Sequence, residues 1–189
     1  MLLTDGEPYA LLCADIRMDI VDATLRDVSY IDWLRAKEGD AVGFIPKARY
    51  EMEISGERGG DIILAKENNE PVGFAYITYG PPLSAKIQQI AVQADARRME
   101  RGTALIAEIT ARAKRKGCAE IGARCAEDLE ANEFWLALGF ERIAGAMGKS
   151  VYGRGKAKLA KGGRRINVYR RLSGLYEARL GECRGYATS

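Results

Sequence analysis

The run Gln89-Ile90-Ala91-Val92-Gln93-Ala94-Asp95-Ala96-Arg97-Arg98-Met99-Glu100-Arg101-Gly102-Thr103-Ala104-Leu105 decides how this chain folds. Ala85 to Val92 has the apolar content of a central strand, Gln93 to Arg101 is a polar loop rich in arginine, and Gly102 opens a helix predicted to reach about Lys116. In that helix Leu105, Ile106, Ile109 and Ala113 share one face, while Arg112, Lys114, Arg115 and Lys116 enrich the end where cations suit the helix dipole. A strand feeding a tight turn and then a helix aims several backbone N–H groups at one spot, where the dipole adds partial positive charge. Such a turn suits a phosphate or pyrophosphate. Gly102 lets the backbone approach closely, and Arg97, Arg98 and Arg101 add forked donors. The same residues would also serve as a solvated basic loop beside an ordinary helix.

Working outward, strand and helix signals alternate. Ile16 to Val21 reads as a first strand, Asp22-Ala23-Thr24 offers a cap, and Leu25 to Lys37 fits a helix with Val28, Ile31, Trp33 and Leu34 apolar. Pro46 to Ile54 is predicted to be a second helix, because proline suits a helix start. Asp61 to Lys66 and Val72 to Tyr79 read as strands joined across Asn68-Asn69, a hairpin signal. Beyond the central helix, Ala119 to Arg124 is a strand and Leu129 to Leu138 a helix ended by Gly139; Glu141 to Met147 and Arg165 to Arg171 complete the strands. This order implies a mixed sheet with helices on both faces.

The chain has 189 residues, enough for one well-buried core and short for two. It contains no histidine, which removes Ser-His-Asp and Cys-His catalysis and the usual zinc hydrolase sites, so no metal centre is expected. Cys13, Cys118, Cys125 and Cys183 lack any paired C-x-x-C spacing and read as small apolar residues in a reducing compartment. No stretch approaches the ~20 apolar residues that cross a bilayer, and the N-terminal apolar runs are broken by Asp5, Glu7 and Pro8, so no membrane and a cytoplasmic location are expected.

The loop quoted above resembles motif A of the GCN5-related N-acetyltransferase (GNAT) family, with the pattern Gln/Arg-x-x-Gly-x-Gly/Ala: Arg97 takes the first position and Gly102 the last. Glu100 stands where the first glycine usually lies, a departure that requires its side chain to turn outward and its backbone to suit a Cβ. Ile20-Val21-Asp22-Ala23-Thr24 with Asp27 is similar to the family's opening strand and helix, Glu70-Pro71-Val72-Gly73-Phe74 to its third-strand entry, and Ile90-Ala91-Val92 to its fourth strand. The run from Glu130 to Phe140 is similar to its motif B. These elements arrive in family order over residues 16–171, which the resemblance makes one acyltransferase domain between an N-terminal extension (1–15) and a C-terminal tail (172–189).

The resemblance implies an α/β (α+β) fold: a mixed, mostly antiparallel twisted sheet, helices on both faces, and a splayed central strand pair. It implies that acetyl-CoA, or another acyl-CoA, lays its pantetheine arm against backbone around Ile90, Ala91 and Val92. The pyrophosphate would rest on amides from Arg97 to Thr103, near Arg98, Arg101 and Gly102. Asn132 is a candidate for a hydrogen bond to the pantetheine, or else a polar residue facing solvent near a helix start. Many relatives have a tyrosine acid where this chain has Trp135, so Tyr79, Tyr152 and Tyr169 are substitutes, each equally readable as a packing residue. The fourth strand reads Lys86-Ile87-Gln88-Gln89 and carries no carboxylate base; Gln88 or Gln89 would orient a water, and Glu51 or Glu53 would offer a base from the second helix. The implied chemistry is direct attack of a neutral amine on the thioester, with fourth-strand amides facing the oxyanion.

Lys149, Arg154, Lys156, Lys158, Lys161, Arg164, Arg165, Arg170 and Arg171 crowd the last hairpin with no acid between Lys149 and Arg171. That hairpin is either a solvated loop or a grip on a polyanion. Three readings therefore stand open: an N-acetyltransferase acting on an amine acceptor, a nucleic-acid-directed protein in the manner of phage Mom-type DNA modification, and a degenerate acyl-CoA-binding module.

Overall fold

The computed structural model of the chain describes residues 18–81, 83–97, 100–147 and 165–172. The strands are β1 (Met18–Asp22), β2 (Asp61–Glu67), β3 (Glu70–Gly80), β4 (Ser84–Val92), β5 (Glu120–Ala126), β6 (Glu141–Met147) and β7 (Arg165–Leu172). The helices are α1 (Val28–Lys37), α2 (Gly39–Val42), α3 (Lys47–Ile54), α4 (Arg101–Arg115) and α5 (Ala131–Ala137). One sheet runs in the order β1-β2-β3-β4-β5-β7-β6, antiparallel at every seam except β4–β5. The mixed, mostly antiparallel sheet and its helices match the expected fold class. The short α2 is the element the sequence reading lacks: four residues between two glycines carry too little periodicity to signal a helix.

Local chemistry explains the joints. Asn68 and Asn69 take φ of 49° and 69°, the left-handed pair that a tight two-residue hairpin demands and asparagine tolerates. At the start of the first helical segment, the Asp27 carboxylate accepts from the Thr24 amide at 2.8 Å and from its hydroxyl at 2.7 Å, closing the predicted cap.

Each face of the sheet is covered by a different set of helices. α4 buries Leu105, Ile106, Ile109 and Ala113, the four residues assigned to its inner face, against Ile63, Ala75, Ile77 and Ile87. Fully burying a leucine or isoleucine of this kind contributes about 1.5–3 kcal/mol. The other face packs Tyr50, Ile31 and Leu34 against Leu64, Phe74 and Tyr76. Alternation along β3 divides Phe74 and Tyr76 from Ala75 and Ile77 accordingly. Cys118 and Cys125 are buried and form no disulfide, as apolar packing residues would. Among the described residues no helix is long and apolar enough to cross a membrane, and no His/Cys/Asp/Glu group is placed to hold a metal. Residues 1–17 and 173–189, Arg98, and residues 148–164 with Tyr152 and most of the basic hairpin lie outside the described residues.

Candidate functional site

The site begins where the sheet comes apart. β4 and β5 pair over three rungs only, Ser84 with Glu120, Ala85 with Ile121 and Lys86 with Gly122. Beyond them β5 stays bonded to β7 along its whole length, and β4 stays bonded to β3. From Ile87 to Val92 the edge of β4 that looks toward β5 thus carries no ladder, and the alternate backbone groups that face it are open to a partner apart from the Val92 carbonyl, which accepts from Arg97. Ile90, Ala91 and Val92 all lie in this stretch; Ile90 and Val92 turn their backbone groups to the open edge, while Ala91 spends its own on β3.

A bulge marks the upper end of the fork. Tyr76 pairs with Gln89 and Ile77 with Ile87, so Gln88 is an extra residue in β4. Ile87 and Ile90 both pack toward α4 although three residues separate them, which strict alternation forbids. That odd spacing is the one sequence signal that would have revealed the bulge.

β4 then leads into the loop and α4. The first intrahelical bond of α4 runs from the Ala104 amide to the Glu100 carbonyl at 2.8 Å, so the amides of Gly102 and Thr103 precede the helical ladder, and no side chain caps them. Glu100 adopts φ 61°, the left-handed region that favours glycine, and its side chain is exposed, meeting the outward requirement noted from the sequence. A Cβ added at Gly102 would stand 3.0 Å from Phe134 Cε2. The glycine therefore serves close contact between α4 and α5.

The arginines divide. Arg97 is half-exposed; its Nε donates to the Val92 carbonyl at 3.2 Å and its terminal nitrogen binds Glu38, at the end of α1. Arg101 is buried, with its guanidinium on Glu67, so its side chain fastens α4 to β2 and what it turns toward the loop is backbone.

Asn132 does not face solvent. Its amide group donates to the carbonyls of Ala126 (2.8 Å), Glu127 (3.1 Å) and Leu129 (2.6 Å), and its oxygen accepts from Asn167 (2.9 Å) and the Tyr169 hydroxyl (2.8 Å). Both hydrogens and both lone pairs are engaged within the protein, which leaves no capacity for a pantetheine bond in this arrangement. Trp135 is buried among Phe134, Phe140 and Tyr169, with ring centroids 5.3, 5.0 and 6.4 Å away. Burial raises the Tyr169 hydroxyl above its ordinary pKa.

The structure separates the remaining candidates. Tyr79 pairs with Ala85, beside the closed end of the β4–β5 seam, and its hydroxyl donates to Asp61 at 2.6 Å. Burial first, and the Asp61 carboxylate second, hold that phenol well above its ordinary value. In this arrangement its proton is directed at Asp61. Gln88 donates to the Thr78 hydroxyl at 2.7 Å. Gln89 is buried on the α1–α3 face; it accepts from the Tyr50 hydroxyl at 2.7 Å and donates to the Val42 and Gly43 carbonyls at 3.1 Å each, so it anchors a loop and orients no water. Glu53 is buried, accepting from Tyr76, Arg49 and the Gly60 amide, while Glu51 is exposed on α3.

The described part of the basic hairpin is engaged too. Arg165 pairs with Glu127 at 3.9 Å and Arg170 with Glu120 at 3.6 Å, and buried Arg171 donates to the Leu138 carbonyl and Thr110 hydroxyl. Of the three, only Arg171 is buried; Arg165 and Arg170 pair at the surface.

Residues 28–140 match the model of the acetyltransferase (GNAT) family, well over half of the chain. The chain belongs to the GNAT acetyltransferase family. No curated protein sequence matches it. Solved structures share the GNAT architecture at low identity. An N-acetyltransferase from Staphylococcus aureus Mu50 aligns at 17% identity and TM-score 0.66, covering 83% of this chain and 99% of that one. Ard1 from Thermoplasma volcanium aligns at 16% and 0.66, covering 82% and 97%. A ribosomal-protein-alanine N-acetyltransferase from Brucella melitensis aligns at 16% and 0.64, covering 82% and 99%. At such identities these GNAT relatives speak for the fold.

Proposed function

We propose that this GNAT protein transfers an acyl group from acetyl-CoA, or another acyl-CoA, to an amine by direct attack. The observation that carries the reading is the open edge of β4, which leads through residues 93–100 to a first turn of α4 that no side chain caps among the described residues. The residues fit such a cofactor: strand amides and carbonyls suit an amide-containing arm, and the Gly102 and Thr103 amides suit a pyrophosphate at the positive end of the helix dipole. Arg97 would reach the phosphates on leaving Glu38. When bound, the thioester supplies an activated acyl carbonyl. The chain's own part is to hold that carbonyl at the open edge, where β4 amides face the oxygen as it gains charge, and to keep the amine in line.

Proton traffic in this reading does not use Tyr79, Tyr169 or Glu53, whose polar groups are already engaged, and is assigned to solvent. Trp135 has no acidic proton to give, Tyr169 spends its hydroxyl on Asn132, and Glu53 is consumed by its own partners. In this reading the amine arrives neutral and solvent takes up the protons. The pH profile tests this: kcat/KM should climb tenfold per pH unit until the acceptor's own amine pKa and then level. A limb that keeps one pKa for amines of different basicity would reveal a protein base instead.

Calorimetry with acetyl-CoA tests the site itself. Wild type should bind, Gly102→Glu should not, and Gly102→Ala, which brings the crowding against Phe134 without the carboxylate, should fall between. Silence from the wild type would sink the reading.

A further inference from the structure

Lys86 stands between Ala85 and Ile87, and Arg124 between Ala123 and Cys125; all four of those neighbours pack toward α4. Both cations therefore project from the opposite face of the sheet, the α1–α3 side. Lys86 occupies the last rung before the fork, across from Gly122, and Arg124 lies two residues further along β5, about 7 Å on at strand spacing. One cation thus stands on each arm where the arms part.

Among the described residues neither forms an ion pair, whereas Arg97, Arg101, Arg112, Arg165 and Arg170 each meet a carboxylate. Two like charges at the fork repel, and partial burial sharpens the effect: desolvation first, and Arg124 second, press the Lys86 ammonium below its ordinary pKa. The floor between them is bare. Gly122 shares their face, and a Cβ there would meet nothing nearer than the Tyr169 carbonyl at 3.8 Å and the Ala85 carbonyl at 3.9 Å, so packing does not require the glycine. An anion placed there would relieve the repulsion and accept charge-assisted bonds from both sides.

We propose that Lys86 and Arg124 seat an anionic group, a carboxylate or a phosphate, carried by the amine acceptor. The inference rests on the acyl-transfer reading, which puts the reacting carbonyl at the open edge starting at Ile87. An acceptor spanning the two points carries its anion about 7–10 Å from its amine, two to three residues along a strand.

Matched acceptors test the seat. Acetyl transfer from acetyl-CoA is measured with Ser-Glu-Gly-amide against Ser-Gln-Gly-amide, and with Ser-phosphoserine-Gly-amide against Ser-Ser-Gly-amide; the first pair reads a carboxylate and the second a phosphate. Wild type should favour the anionic member of at least one pair by about tenfold in kcat/KM, the worth of a charge-assisted contact. Lys86→Gln and Arg124→Gln should each bring that ratio toward one. Gly122→Asp, which supplies an internal carboxylate, should do the same. A readout without turnover is the titration of wild type with inorganic phosphate, followed by NMR of the dimethylated Lys86 side chain: a saturable shift, absent in Arg124→Gln, supports the seat. Equal use of both members, a ratio that survives all three substitutions, or a Lys86 signal indifferent to phosphate overturns it. Acetyl-CoA affinity of each variant is measured in parallel, and a wild type that fails to bind acetyl-CoA overturns the acyl-transfer reading itself.

Discussion

Glu100 holds a conformation that its side chain makes costly. A non-glycine residue at φ 61° costs on the order of 1 kcal/mol, so Glu100→Gly should raise stability by about that much in thermal denaturation. It also removes a negative charge from the entry to α4, and calorimetry should show acetyl-CoA binding tightened severalfold. Unchanged affinity would mean that the loop does not meet the phosphates. Position 100 was legible as a departure because an expected glycine was missing there. The fate of Arg101 was not: nothing near it in sequence announces Glu67, whose position depends on how β2 packs beside α4. Asn132 is the same case, since its five partners come from the end of β5, the turn before α5, and β7.

Elements hold one another through such residues. Asn132→Ala would strand the Tyr169 hydroxyl, the Asn167 amide and three carbonyls at the join of β5, α5 and β7, a loss of about 2–3 kcal/mol in urea denaturation. Tyr169→Phe removes one of those bonds and should cost about 1 kcal/mol. At the other end of the domain, the Thr24–Asp27 cap ties folding to pH. Burial alone would raise the Asp27 carboxyl, but the Thr24 hydroxyl and amide, with Lys66, bring it below its ordinary value of 3.8. A folded-state pKa below the unfolded one adds stability above the unfolded value and loses it as pH falls through the folded value. Asp27→Asn should therefore cost about 1 kcal/mol at neutral pH, and the gap to wild type should close below about pH 3.8. Most elements were readable because their apolar period is long or their caps are local. The bulge at Gln88 hid in an otherwise ordinary strand, since one extra residue changes the phase but not the composition.

At the scale of the whole molecule, the sheet is two antiparallel sheets, β1 to β4 and β5-β7-β6, that share three parallel rungs and the crossover through α4. A sequence scan finds the strands, yet how far two of them stay paired is decided by geometry that no local pattern records. The fork has a thermodynamic meaning of its own. A ligand that bonds to the bare edge of β4 acts as a partial strand and stitches one half to the other, so unfolding either half then requires releasing it. Amides from Ile87 to Val92 that exchange by local opening should slow in acetyl-CoA, and those of β5, whose far edge is already bonded, should slow less. In the language of materials, the protein is a laminate with an open seam, and a ligand on the β4 edge would be its adhesive.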